Sequence, residues 1–391
     1  MTSEWKTEPL RNVISYIAKG IPPVYAEQES NTTVRVLNQK CNRNFVISYE
    51  ESRLHDFSKR SVSQEKYLRD NDILINSTGT GTVGRIAQLY TVPCPTIVDG
   101  HMIVIRAREN VVPRYLGYAL KAHQAEILQL DEGSTGQTEL NRERLLSEIK
   151  ISYPISLNEQ RAIATTLSCL DDKIELNNEI NANLEAQAQV IFKSWFVNFE
   201  PFCDGEFVNS ELGPIPKGWR IGKLNELITI CSGKRPLSRN SSKNMQYSIP
   251  LIGASSMMGY TSNYLYDSKI LVIGRVGTHG IVQRINKKCW PSDNTLVITS
   301  NYYEFVYQVL KRIDYNELNR GTTQPLITQT DIRNVLTVIP PVKLLNQYEL
   351  MIQIYFDLFN NLSEQSEKLS NLRDTLIPKI VSGKIETSIR R

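Results

Sequence analysis

The chain has 391 residues, of which 22% are charged and 41% hydrophobic, and carries a net charge of +4. That is an ordinary balance for a soluble protein, with room for two domains of about 100 to 200 residues and something extended besides. No run approaches the ~18 apolar residues of a membrane helix, the start MTSEWKTEPLRNVISYIAKG lacks the layout of a signal peptide, and the six cysteines and four histidines form neither a C-x-x-C pair nor a cluster, so a zinc site or disulfide framework is excluded.

In chain order, EWKTEPLRNVISYIAKG (4–20) sets Trp5, then Leu10, then a β-prone run ending at Gly20. A polar stretch follows, in which Arg35, Asn38, Lys40 and Arg43, then Lys59 and Arg60, stand in turn-rich surroundings. These are side chains that reach the phosphates and base edges of DNA. STGTGTVGR (77–85) looks like a phosphate loop, but a P-loop needs Lys and then Ser or Thr after its last glycine, and Arg85 and Ile86 stand there. Its glycines instead predict a tight strand-to-strand turn, with Thr80, Thr82 and Arg85 as candidate phosphate contacts. β-prone IVDGHMIVIRA and amphipathic PRYLGYALKAHQAEILQL complete a compact α+β globule.

A long helical stretch comes next. Ile163, Leu167, Leu170, Ile174, Asn177, Asn181, Leu184, Ala188, Ile191 and Trp195 keep the 4-3 spacing of a coiled-coil seam. The chain then repeats itself. GWRIGKLNELITICSGK (218–234) echoes the start, so that Trp219 matches Trp5, Leu224 matches Leu10 and Gly233 matches Gly20. GKRPLSRNSSK carries Lys234, Arg235, Arg239 and Lys243 in a turn-rich loop. DSKILVIGRVGTHGIVQRI echoes the glycine turn, with Arg275, Thr278 and His279 as its candidate DNA contacts, and YYEFVYQVLKRID echoes the amphipathic helix. Gln160 aligns with Gln347, opening a second long helix whose seam reads Met351, Tyr355, Leu358, Leu362, Gln365, Leu369, Leu372 and Leu376, with Pro378 and Gly383 as its stop.

The expected fold is α+β: two similar globules, 1–157 and 206–343, separated by two long helices, 158–205 and 344–391, which form an antiparallel coiled coil with a pseudo-two-fold internal repeat. In an antiparallel pair the mid-helix amides Asn177, Asn181 and Gln365 face one another and pin the register. Helices of roughly 55 to 60 Å suit two DNA readers about one duplex turn, ~34 Å, apart. Because the polar stretches after Gly20 and Gly233 differ most, the site would be bipartite and asymmetric. Residues 206–343 hold 17 basic and 9 acidic side chains, a net +8, against 3 and 8 in 158–205, which points to a polyanionic partner. No catalytic motif survives: there is no G-x-S-x-G and no H-E-x-x-H, and the pairs Asp171-Asp172 and Glu50-Glu51 read as solvated charge. Binding is the better class of function, leaving a DNA reader or a non-enzymatic coiled-coil scaffold.

IPKGWRIGKLNEL, LNEQRAIATTLSCLDDKIELNNEINANLEAQAQVIFKSWFVNFEPF and LRDTLIPKIVSGKIE resemble the specificity (S, or HsdS) subunits of Type I restriction-modification enzymes, and the likeness spans essentially the whole chain. The resemblance implies a prokaryotic cytoplasmic subunit without catalysis of its own. It would bind double-stranded DNA, dock two modification (adenine methyltransferase) subunits on the paired helices and, through them, meet restriction subunits. No cofactor is expected on this chain; S-adenosylmethionine, ATP and magnesium belong to the partners. A specificity subunit of a related methyltransferase-endonuclease system is the alternative. The second copy departs from the family pattern at LNQYELM, where the first has Glu159-Gln160-Arg161.

Overall fold

The computed structural model describes residues 4–79, 81–132, 138–276, 280–318 and 326–384. Two compact units divide the chain: Met1–Asn177 with Glu364–Arg391, and Asn178–Ser363.

The first unit holds a four-stranded antiparallel sheet in the order Ile14–Lys19, Met102–Ala107, Asp72–Asn76, Ile86–Leu89. Every residue of the strand Asp72–Asn76 is buried, because both faces of the sheet are covered. Ile73 and Ile75 point into a core shared with the helix Pro113–Ala122, while Leu74 joins Leu37, Val98, Met102 and Val104 on the opposite face. The period-2 alternation of a strand thus feeds two cores at once. A second sheet, in the order Thr96–Val98, Thr33–Leu37, Arg53–Asp56, Tyr25–Ala26, contains one parallel pair, Thr96–Val98 with Thr33–Leu37. A ribbon of Trp5–Pro9 and Lys150–Pro154 closes the unit.

The second unit repeats this frame. Its main sheet runs Thr229–Ser232, Thr295–Thr299, Ile270–Gly274, Val282–Ile285; Trp290–Pro291 is again parallel to its neighbour, Ile249–Ile252; and the ribbon is Arg220–Lys223 with Leu336–Ile339. Leu271 and Ile273 face the core that contains Phe305 and Leu310 of the helix Tyr303–Arg312, and Ile270 and Val272 face the smaller sheet. The amphipathic segment expected as one helix in the first copy is two, Pro113–Ala122 and Gln124–Ile127, parted at His123.

The long helices are Leu157–Phe196 and Val342–Val381, 40 residues each and so about 60 Å long. Pro378 lies inside the second one and does not end it. Standing in the last turn, it deletes a single backbone donor, and the helix runs on until Gly383, at φ +71°, turns the chain away. A side chain at Gly383 would meet the indole of Trp5 at 3.0 Å. Ile377, Ile380 and Val381 are buried in the first unit's core beside Ile163 and Leu167.

Within each unit the long helices pack antiparallel. In the first, Asp171 accepts from Arg373 Nη1 at 2.6 Å, and Asn177 Nδ2 donates to Gln365 Oε1 at 2.9 Å and to Ser366 Oγ at 3.2 Å. In the second, Asn181 Nδ2 donates to Ser363 Oγ at 3.0 Å, and Phe196 packs edge-on against Tyr348, ring centroids 4.9 Å apart. The seam of the first helix follows the expected positions, with Leu184 half-buried on it. That of the second is displaced by one residue. Leu358 and Leu372 are 45% and 48% exposed, and Leu362 and Leu369 are only half-buried. The inward positions are Ile352, Phe356, Phe359, Ser363, Ser366, Arg373 and Ile377. Serines and an arginine fill the middle of the seam, so a search for apolar periodicity there settles on the exposed leucines. Asp171, expected as solvated charge, is also held by Tyr118 Oη at 2.6 Å.

Candidate nucleic-acid interface

Backbone hydrogen bonds align the two units residue by residue. Gly20 N–H reaches Met102 O and Gly233 N–H reaches Thr295 O, both at 3.0 Å; Ser77 N–H reaches His101 O at 2.8 Å and Arg275 N–H reaches Asn294 O at 2.9 Å. Arg275 therefore takes the place of Ser77. Ile75 pairs with Ile86, eleven positions on, and Ile273 with Val282, nine positions on, so the second glycine turn is two residues shorter. Gly84 at φ +77° and Gly280 at +80° hold the same left-handed position at the end of it. The turn is structural, as its glycines predict.

In the first unit most of the candidate DNA contacts have partners inside the protein. Arg35 is half-buried, with Glu29 at 3.5 Å, and Lys59 lies 3.5 Å from Asp56. Arg60 Nη1 donates to Pro22 O at 2.6 Å, Arg85 Nη2 to Gly81 O at 2.8 Å, and Thr82 Oγ1 to Gly79 O at 3.1 Å. Asn38 is committed to the backbone: it caps a short 3-10 turn by accepting from Lys40 N–H at 2.8 Å and donates to Glu51 O at 2.7 Å. Its side chain thus serves the fold of this segment. Lys40 and Arg43 are exposed. Arg43 and Arg85 line one cleft of about 570 Å³ with Asn44, Phe45 and Gln124. There Asn44 and Phe45, at φ +52° and +63°, form the tip of the hairpin Asn42–Arg43/Val46–Ile47. Two successive left-handed residues fit a type I′ turn, though Phe there is uncommon. Its ring is held under the ammonium of Lys121, 4.4 Å from the centroid.

A second cavity of about 210 Å³ is lined by Asp99, His101, Asn38, Gln39, Lys40, Glu51, Arg53 and Tyr25, which brings the candidates Asn38 and Lys40 beside residues that the sequence reading left aside. Asp99 is 3% exposed and accepts from His101 N–H at 2.9 Å. Burial pushes its carboxyl above the ordinary range, against the pull of that hydrogen bond and of His101 and Arg53. IVDGHMIVIRA reads as one β-prone run, but a turn at Gly100 and His101 splits it, and nothing in the sequence marks the Asp99 carboxyl as facing a cavity.

The second unit differs in its loop. Lys234, Arg235, Arg239 and Lys243 are all exposed, and none makes an ion pair among the described residues. Asn240 forms an isolated bridge with Tyr260, and Leu237 and Met245 are almost wholly exposed. Arg275 is half-buried at the mouth of its turn. Thr80, Thr278 and His279 lie outside the described residues. No helix among the described residues is long and apolar enough to cross a membrane.

A family profile described as "Type I restriction modification DNA specificity domain" matches residues 2–186 and 216–369, one match per copy. The Type I restriction enzyme MjaIX specificity subunit of Methanocaldococcus jannaschii is 32% identical over 308 residues, covering 71% of this chain and 70% of that one. The HindI specificity subunit of Haemophilus influenzae is 23% identical, with 98% and 100% covered. The crystal structure of a Type I restriction-modification S subunit from M. genitalium superposes with a TM-score of 0.56 at 16% identity, covering 96% of each chain, and so shares the fold. With two divergent basic surfaces on one repeated frame and these likenesses over both copies, the chain belongs to the specificity subunits of Type I restriction-modification systems, the components that recognise DNA sequence.

Proposed function

We propose that this chain reads an asymmetric bipartite DNA site, one half with each unit, and docks two adenine methyltransferase subunits and, through them, restriction subunits, while catalysing nothing itself. One observation carries the reading: the same frame of sheets and helix occurs twice, and the surfaces that differ between the copies are the cationic ones, Arg43 and Arg85 in the first and Lys234 to Lys243 in the second. A repeated frame with unlike reading edges suits two unlike half-sites. For docking, Leu350, Ile354 and Leu358 stand exposed at four-residue spacing on the second long helix, and Leu176 and Val190 are exposed on the first. Such apolar stripes mark protein-binding surfaces.

Co-expression with the cognate modification subunit, followed by mapping of N6-methyladenine across the host genome, tests this. The expected result is a single interrupted motif with two different halves. Absence of methylation, or an uninterrupted motif, overturns it. Replacement of residues 21–72 or of 234–266 is expected to alter one half only.

A further inference from the structure

We infer that the cavity lined by Asp99, Gln39 and His101 in the first unit takes the exocyclic amino group of one base of the recognised sequence, with Lys40 and Arg53 against the neighbouring phosphates. This deepens the bipartite-readout reading and rests on it.

Asp99 is not needed to build its own turn. The backbone bond that closes the turn, Met102 N–H to Asp99 O at 3.2 Å, recurs in the second unit as Thr295 N–H to Ser292 O at 3.0 Å. At that equivalent position Ser292 is buried and its hydroxyl bonds to nothing among the described residues. The turn therefore forms with or without a side-chain acceptor, and the carboxylate is surplus to the fold. A carboxylate that is 3% exposed and makes no ion pair among the described residues is costly to keep. Gln39 also lines the cavity, while its Oε1 is buried against Gly79 and Thr82 without a hydrogen-bond partner. A buried carboxylate that accepts only from His101 N–H among the described residues, in a cavity that also presents Lys40, Arg53, His101 and Glu51, matches a group that donates hydrogen bonds and hangs from a polyanion. The amino groups of cytosine and adenine have that character, and carboxylates accept from cytosine N4 in the major groove.

The test uses the full complex with its modification subunits. Asp99→Asn keeps the acceptor for His101 N–H and the shape, and Asp99→Ala removes both. The expected result for each is a methylated motif in which discrimination at one base position falls about tenfold or more, confined to the half that changes when residues 21–72 are replaced. Lys40→Ala with Arg53→Ala is expected to lower methylation at all sites without altering the motif. If the wild-type complex gives a bipartite motif and Asp99→Asn gives the same motif with the same discrimination at every position, this inference fails while bipartite readout stands. Changes in both halves also overturn it. A wild-type motif that is not bipartite would bring down the underlying reading instead.

Discussion

The two units share strand order, ribbon, helix and turn, yet they hold their cations differently. In the first, Arg35, Lys59, Arg60 and Arg85 are tied to carboxylates or backbone carbonyls, so their side chains are already arranged. In the second, Lys234, Arg235, Arg239 and Lys243 stand free on a loop with little regular structure. A preorganised surface gives up little conformational entropy on binding a ligand, whereas a free loop must be ordered by whatever binds it. One frame thus supports both a fixed cationic surface and an adaptable one.

A second contrast lies in how each globule helix is seated. In the first unit Gln160, on the first long helix, accepts from Val112 N–H at 2.7 Å and donates to Asn110 O and Pro154 O. In the second the corresponding duty falls to Glu349, which accepts from Glu304 and Phe305 N–H at 3.0 and 2.8 Å. Gln347, which the sequence aligns with Gln160, is exposed. A neutral amide and an acid therefore do the same work.

The largest expected effect separates the buried ion pairs. Arg106 is bidentate to Asp72 in the first unit, and Arg284 to Glu304 in the second. Arg284 also lies over Tyr303, Tyr307 and Phe356, the last on the second long helix, whereas Arg106 covers Tyr16 alone. Removing one partner of such a pair destabilises by about 3 to 5 kcal/mol. Glu304→Ala is expected to lower urea stability by that amount, and Arg284→Ala to cost more than Arg106→Ala. Equal losses for the two arginines would remove the distinction.

Next in size is pH. Burial pushes the Glu349 carboxyl up to about 7, outweighing its two backbone hydrogen bonds, with Glu304 adding to the rise and Lys269 opposing it. A carboxyl raised on folding contributes stability that is fully present below about pH 4.5 and is lost as pH rises through about 7. Hydrogen exchange at residues 303–312 should therefore quicken across that window, by on the order of 3 kcal/mol in opening free energy. Glu349→Gln should flatten the dependence and make the second unit behave as the first does with Gln160. A variant that kept the wild-type pH profile would place its origin elsewhere.

A smaller effect concerns salt. Replacing Arg235, Arg239 and Lys243 together with alanine should reduce the slope of log affinity against log salt by about 2.7, at ~0.9 per lost phosphate contact. The matching set Arg35, Lys59 and Arg60 should change it less, being already paired; equal changes would erase the contrast between the loops. Smallest of all, Asn181→Ala removes one seam hydrogen bond to Ser363 and should cost about 1 kcal/mol, read from the unfolding midpoint.

Much of this architecture is legible in the chain. Trp5 and Trp219, Leu10 and Leu224, and the two glycine turns reveal the duplication because each has a steric reason to recur. The first long helix is legible because its inward residues are mostly Ile, Leu and Ala. The second is misplaced by one position because Ser363, Ser366 and Arg373 face inward while Leu358 and Leu372 face out, and hydrophobicity alone cannot rank a hydrogen-bonding serine above a leucine. The candidate site was half legible. Exposed cations such as Lys40, Arg43 and Arg239 announce themselves by type, but whether Asn38 faces DNA or caps a turn depends on Glu51, thirteen residues away. Asp99 is recognisable only once the fold brings Tyr25, Gln39 and Arg53 around it to form a cavity.

The division of the long helices also bears on synthesis. Residues 178–363 are contiguous, so the second unit leaves the ribosome whole, whereas the first needs Leu376, Ile377 and Ile380 to complete its core. Those residues emerge some 200 positions after the rest of their unit, a wait of tens of seconds at roughly 5 to 20 residues per second. During that interval Ile163, Leu167 and Trp5 have no partner from the C-terminal segment. The unit made first is therefore finished last, and a nascent chain cut short before residue 364 would carry a complete second unit and an open first one.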